Sequence, residues 1–242
     1  MQSQASNSAD QTPDRPEGAS AAGTADESLD TPERLLLAAA TVFAEKGYHA
    51  ATLAEICRRA DANGAAVNYY FRSKENLYRE AWRRAFQRSL AAHPVDGGLP
   101  ADSTPHQRLE AMVHAMVARI ADPRSCEFDI VRHEHGSPTG LLQEIMRESI
   151  EPLRLYLREI VQELLGPAAT PEDVQLCQRS TIAQCLHMMV LTRPRSRHVG
   201  PPPIELPNEV VADHIVRFSL AGIAETRRRA GSNGKARAND VS

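Results

Sequence analysis

Apolar side chains recur three and four positions apart along most of this chain, the spacing that lines one face of an α-helix. Leu35, Leu36, Ala39, Val42 and Phe43 form one such stripe, with Glu33, Arg34, Glu45 and Lys46 lying off it. Thr31 is placed to cap this helix, and Pro32 suits its first turn, where the missing N–H leaves no bond unmade. Gly47 ends it, because glycine reaches the left-handed region without a Cβ clash. A second, short helix starts at Thr52, and Glu55 three positions later completes a capping box. Its Leu53, Ile56 and Ala60 face inward, and Arg58 and Arg59 face solvent. Asp61, Ala62, Asn63 and Gly64 read as a turn, and residues 65–71 as a third helix. Ser73 caps a fourth, whose buried side is Leu77, Tyr78, Ala81, Trp82, Ala85 and Phe86.

The same period continues beyond Ser103. Residues 104–120 place Leu109, Met112, Val113, Met116, Val117 and Ile120 on one side, and Asp122 with Pro123 stops them. Residues 126–135 carry Phe128, Ile130 and Val131, and a long helix over 141–165 is closed by Gly166 and Pro167. Pro152 inside that helix removes one ladder bond, so a kink is expected over residues 149–152. Thr170 caps the next helix, which runs to Arg193 and Pro194, and a basic, proline-rich loop occupies 195–203. A last helix follows Pro207 and Asn208 and reaches Arg227, Arg228 and Arg229. The fold class is therefore all-α, and the last two long helices, packed antiparallel, suit a four-helix bundle across a twofold axis.

Two helices joined by a four-residue turn, the second short and polar outside, describe a helix-turn-helix, whose second helix enters the major groove of DNA. A plain corner of a helical bundle has the same outline. Charge separates the two readings. Residues 31–90 hold ten Lys or Arg against six acids, a local balance of +4, while residues 1–30 hold one Arg against six acids, or −5. The whole chain is −3, yet a locally positive head is what phosphate neutralisation needs. Residues 1–30, without a basic start or an apolar core, read as a disordered acidic arm and not as a signal peptide. Residues 230–242, without apolar periodicity, read as a disordered tail. At 42% hydrophobic and 24% charged the composition is that of a soluble globular protein, with no apolar run of membrane-spanning length. Cys57, Cys126, Cys177 and Cys185 form no C-x-x-C pair and fit a reduced cytoplasm, as small buried hydrophobes.

The stretch 31–78 resembles the N-terminal domain of TetR-family (tetracycline-repressor-like) transcriptional regulators. The resemblance rests on Ala39, Phe43, Gly47, Tyr48, Thr52, Ile56 and Ala60, then Tyr70, Phe71, Ser73, Lys74, Glu75 and Leu77, in gapless order. It implies a homodimer that sets two recognition helices in successive major grooves, and a helical C-terminal domain over 79–229 that dimerises and binds an effector. Residues 130–139, with Glu151, Pro152 and Leu153, further resemble members with a CerR-type C-terminal domain. The positions implied to meet DNA are Thr52, Asn63, Gly64, Ala65, Ala66, Asn68, Tyr69, Tyr70 and Lys74. Family members often carry a phosphate-contacting Tyr where this chain has Asn68, an amide able to donate to a phosphate or to pair with adenine N6 and N7.

Chemistry is the rival class. His133, Glu134, His135 and Cys126, or Cys185 and His187, supply metal-ligating types, but residues two apart on a helix point about 200° from each other. The H-E-x-x-H spacing is absent, as are the G-x-S-x-G, Walker-type and G-x-G-x-x-G sequences. The expectation is a regulator and not an enzyme, with no cofactor and no metal, acting in the cytoplasm on double-stranded operator DNA. A small-molecule effector of unknown identity is expected among Met112, Met116, Phe128, Arg132, Met146, Tyr156 and His187, since Met and aromatic side chains shape adaptable cavities. The alternatives are a DNA-binding dimer without small-molecule control, or a metal- or redox-responsive regulator.

Overall fold

The computed structural model describes residues 30–192 and 206–239. These form nine helices and, among the described residues, no strand: α1 (Thr31–Ala50), α2 (Leu53–Arg59), α3 (Gly64–Tyr70), α4 (Lys74–Ala92), α5 (Pro105–Ala121), α6 (Cys126–Gly136), α7 (Gln143–Leu165), α8 (Pro171–Thr192) and α9 (Asn208–Asn239). The all-α expectation holds. The acidic arm, apart from Asp30, and the proline-rich segment 195–203 lie outside the described residues.

Local polar contacts set several helix ends away from where periodicity put them. Asp30, not Thr31, caps α1, its carboxylate accepting the Glu33 N–H at 3.1 Å. A carboxylate there also meets the positive end of the helix dipole. Gly47 breaks the helical dihedrals at φ 73° and ψ 173°, and one further turn runs on to Ala50. Thr52 caps α2 through Oγ1 and the Glu55 N–H at 3.3 Å, but the reciprocal half of the box does not form. The Glu55 carboxylate is held instead by Lys46 at 2.5 Å and Arg59 at 2.8 Å, charge-assisted bonds stronger than one to a neutral N–H. Asn63 caps α3 and so moves its start to Gly64, while Asp61 takes the left-handed conformation at φ 47°. α7 begins at Gln143 and not at Leu141, because the Glu134 carboxylate takes the N–H groups of Thr139 and Gly140 and holds the preceding loop. It then runs unbroken through Pro152.

α9 overturns the reading of residues 230–239 as structureless. The helix continues to Asn239. Glu225 receives Arg228 and Arg229 at 2.8 Å each, and the Ser232 hydroxyl donates to the Arg228 carbonyl at 3.0 Å. The Glu225 ion pairs, one turn apart, support this stretch without any apolar stripe, the signal that periodicity reads.

Packing divides the molecule into two cores. The first gathers Leu35 and Phe43 of α1, Ile56 of α2, Val67 of α3, and Leu77, Tyr78 and Trp82 of α4. Ile130 of α6 and Ile145 of α7 complete it. The second joins Leu109 and Ile120 of α5, Phe128 of α6, Leu157 and Ile160 of α7, Val174 and Cys185 of α8, and Ile215 and Val216 of α9. α6 and α7 therefore belong to both, and the head is finished by residues far along the chain from it. At the seam, Arg119 (3% exposed) pairs with Glu127 (2% exposed) at 3.2 Å and donates from Nε to the Ser89 hydroxyl at 2.9 Å. Its guanidinium lies 5.1 Å from the Phe86 ring and 5.4 Å from the Phe128 ring, one ring from each core. Burial pushes Glu127 up and Arg119 down, so desolvation outweighs their mutual attraction.

Candidate nucleic-acid interface

α3 is seven residues long, and successive side chains turn by about 100°. Val67, wholly buried, anchors it to the first core. Ala65 and Tyr69 stand on the opposite face, with Gly64 and Asn68 beside them, all exposed. Tyr69 is 75% exposed, an unusual setting for so large a ring unless something covers it. Tyr70 turns further toward the buried side, is 44% exposed, and meets Tyr69 edge-on at 4.8 Å. The nine expected contact positions thus divide. Gly64, Ala65, Asn68 and Tyr69 share one outward face, while Ala66 is half-buried and Tyr70 stands off it. Thr52 and Asn63 lie exposed at the starts of α2 and α3. Their side-chain oxygens serve as caps, which leaves the Thr52 hydroxyl proton and the Asn63 amide protons to donate. A Cβ placed at Gly64 would meet no heavy atom within 4 Å.

Lys74, at the first position of α4, lies half-buried with Nζ 4.5 Å from the centre of the Tyr48 ring. Burial there lowers its pKa against a small opposing effect of Glu75. The Tyr48 hydroxyl donates to Glu75 at 2.9 Å, fixing the ring beneath the ammonium group.

Most of the basic side chains counted in the head are occupied internally. Lys46 pairs with Glu55, Arg59 with Glu45 and Glu55, Arg83 with Glu80, and Arg84 with Glu33. Arg34 and Arg79 donate to the carbonyls of Asp61 and Leu141. Arg58, Arg72, Lys74 and Arg88 have neither an ion pair nor a side-chain hydrogen bond among the described residues, and with Arg34 and Arg79 they carry the positive balance. Arg58 and Arg72 were not among the expected contacts. Arg72 has its own signature, a non-glycine φ of 69° directly after α3, with its N–H closing the helix on the Val67 carbonyl at 3.1 Å. The residue string shows no trace of that backbone angle.

The head is tied to the rest of the molecule through α6. His133 Nε2 donates to the Ala44 carbonyl at 3.1 Å, and a Cβ at Gly47 would lie 3.1 Å from His133 Nδ1. The Tyr78 hydroxyl donates to Glu134 at 3.1 Å, and the Thr139 and Gly140 N–H groups donate to the same carboxylate at 2.8 and 2.9 Å. His135 Nδ1 turns to the Val131 carbonyl at 2.8 Å. Three of the residues weighed as metal ligands, His133, Glu134 and His135, thus serve three separate structural contacts. Burial raises the thiol pKa of Cys57 and Cys177, and pushes Cys185 up to about 12, so these thiols stay protonated and unreactive near neutrality.

The expected effector residues do not form one chamber. Met112 and Phe128 are buried in the second core, with Met116 and Tyr156 packed at its edge. Met146 packs on the first core, His187 lies exposed on α8, and Arg132 holds Asp129 at 3.0 Å. Met146 and Tyr156 are ten residues apart on one helix, roughly 15 Å along its axis, so periodicity placed them on one stripe but not in one layer. Tyr156 alone of the seven lines a cleft of about 320 Å³, with Val95, Asp96, Pro152 and Leu153.

Residues 35–81 match the family model described as bacterial regulatory proteins, tetR family, and residues 105–223 match that of the C-terminal domain of the HTH-type transcriptional dual regulator CecR. The CecR domain takes the place of the CerR-type label given to this half. The chain is 26% identical over 156 residues to the HTH-type transcriptional regulator SrpR of Pseudomonas putida, covering 63% of this chain and 70% of that one. Among solved structures, AibR in complex with isovaleryl coenzyme A and operator DNA superposes with a TM-score of 0.61 at 20% identity, over 78% of this chain and 97% of AibR. The fatty acid degradation regulator FadR from Bacillus halodurans does so with a TM-score of 0.60 at 14% identity, over 78% of this chain and 94% of FadR. Among the described residues no helix is long and apolar enough to cross a membrane. An outward reading helix on a positive head, joined to a CecR-type domain, makes this chain a DNA-binding transcriptional regulator and not an enzyme, and the chain belongs to the tetR family.

Proposed function

We propose that the protein is a ligand-responsive repressor that holds a pseudo-palindromic operator as a homodimer in the cytoplasm. The observation that carries this reading is the outer face of α3, where Gly64, Ala65, Asn68 and Tyr69 stand exposed, Tyr69 touched edge-on by its neighbour Tyr70. Asn68 and Tyr69 meet base edges or backbone, while Arg58, Arg72 and Lys74 neutralise phosphates. Dimerisation through α8 and α9 is supported by Leu176 and Phe218, each 62% exposed, and by Val210 at 47% and Leu186 at 39%. Cys177 reaches Thr226 at 3.8 Å and Gln184 reaches Ser219 at 3.3 Å, so the two helices run antiparallel, as a bundle across a twofold axis requires.

Ligand control is supported by α6 and α7, which contribute to both cores and so couple a change in the second to the head. An effector acts by binding one spacing of the heads more tightly than the other, and only by that difference. AibR, which shares this fold, was solved in complex with both isovaleryl coenzyme A and operator DNA, so the fold can hold a small molecule and a duplex together.

The test begins with duplexes selected from a random pool by the full chain, followed by fluorescence anisotropy on the selected fragment and light scattering on the free protein. The expected result is a dimer in solution and a preference for an inverted repeat over random competitor of at least about a thousandfold. A monomer under all conditions, or no preference, would sink the proposal.

A further inference from the structure

The cleft between the α4–α5 connection and α7 has walls of one kind and a rim of another. Val95, Pro152, Leu153 and Tyr156 supply apolar surface, and Asp96 stands at the edge. Its volume, about 320 Å³, is that of a small-molecule site. One Asp96 carboxylate oxygen accepts the Gly98 N–H at 3.0 Å, which fixes the side chain, and no cationic partner for Asp96 lies among the described residues. Pro152 has no N–H to give the helix, and its ring forms part of the apolar wall. Burial raises the pKa of the Tyr156 hydroxyl; among the charges acting on it Arg108 comes first, ahead of Asp96 and Glu159, and Arg108 is engaged by Glu163. The one charged side chain lining this apolar floor is therefore Asp96.

We propose that this cleft binds a small amphipathic cation, its apolar body against Pro152, Leu153 and Tyr156 and its positive centre facing Asp96. The site deepens the ligand-responsive reading and rests on it for its regulatory meaning. An anion would meet the Asp96 carboxylate, and a neutral ligand would leave it without a partner. Because Pro152 and Leu153 sit midway along α7, an occupant presses on the helix that spans both cores.

The experiment uses the full chain, with tetraphenylphosphonium as the cationic probe, triphenylphosphine oxide as the neutral one and tetraphenylborate as the anionic one. Calorimetry reads binding, and anisotropy on the selected operator reads release. Tetraphenylphosphonium is expected to bind more tightly than the other two, and Asp96→Asn to weaken it about fivefold at low salt, the strength of a surface ion pair. An asparagine oxygen still accepts the Gly98 N–H, so the loop and the affinity for DNA without probe stay as they were. Equal binding of the neutral or anionic probe, absence of binding by all three, or no effect of Asp96→Asn would overturn the assignment. If tetraphenylphosphonium binds through Asp96 while the operator stays held, the site stands and ligand control of DNA binding falls.

Discussion

Arg72 has a backbone angle that disfavours any side chain, φ 69°, immediately after the reading helix. Replacing it by glycine removes a strain of about 1 kcal/mol and, with it, one exposed positive charge. Arg72→Gly is therefore expected to raise stability in urea unfolding while weakening binding to every duplex and lowering the salt slope by about one. Stability that falls instead would show the guanidinium packing on the fold, and unchanged affinity would remove it from the interface. Tyr69→Ala is expected to weaken DNA binding more than Tyr70→Ala, because Tyr69 shares the outward face with Ala65 and Asn68. Equal losses in anisotropy titrations would refute the division drawn between the two rings. Asp122 offers a test by pH. Arg124, chiefly, and His93 hold its carboxyl well below the ordinary range. A depressed carboxylate stabilises the fold above its unfolded value, near pH 4, and that contribution fades as pH falls further. Asp122→Asn should melt lower than the parent at pH 7, with the gap closing toward pH 2; a gap independent of pH would place the effect elsewhere.

At the scale of elements, the junction of α1 and α6 is the one most exposed to a single change. Gly47 sits at φ 73° and ψ 173°, a region open to glycine almost alone, and His133 leaves 3.1 Å for a Cβ. Gly47→Ala is expected to lower stability by about 1–3 kcal/mol. Adding His133→Ala should return only the steric part, since the dihedral strain stays; full recovery in thermal melts would mean that the backbone is unstrained. α3 illustrates a different dependence. Too short to persist alone, it is held by Val67, by its Asn63 cap and by the closing bond from Arg72. The face it shows outward is thus a consequence of one buried valine.

For the whole molecule, the shared membership of α6 and α7 matters more than the order of helices along the chain. A fold with two sealed cores would have no means of reporting on one from the other. Here Arg119 and Glu127 lie at the seam, deeply buried, and Glu127 Oε2 finds no donor among the described residues. Arg119→Met is expected to destabilise the protein by about 3–5 kcal/mol, because it leaves a buried carboxylate unpaired. Arg119→Met with Glu127→Leu should recover most of that loss. If the double variant is no better than the single one, the pair's contribution lies in its bonds to Ser89 and the aromatic rings and not in charge.

Helix number, the reading-helix outline and the positive head were legible in the residues, because a 3.6-residue period, capping side chains and formal charge are local properties. Ser73, Thr104 and Thr170 cap the helices that follow them for reasons contained within four residues. Which arginines remain available was not legible, since pairs such as Arg84 with Glu33 join residues 51 positions apart. The spread of the expected effector residues over two cores was hidden for the same reason. A stripe on a helix says which side is apolar, but not which of two cores that side meets at a given height, and Met146 and Tyr156 met different ones. The family and its DNA-binding role were therefore written in short-range pattern. The outward side of α3 and the charges left over arose only when α1, α2, α3 and α4 packed together, and the cleft beside Pro152 only when α7 met the α4–α5 connection, because burial and ion pairing depend on neighbours that the linear chain keeps apart.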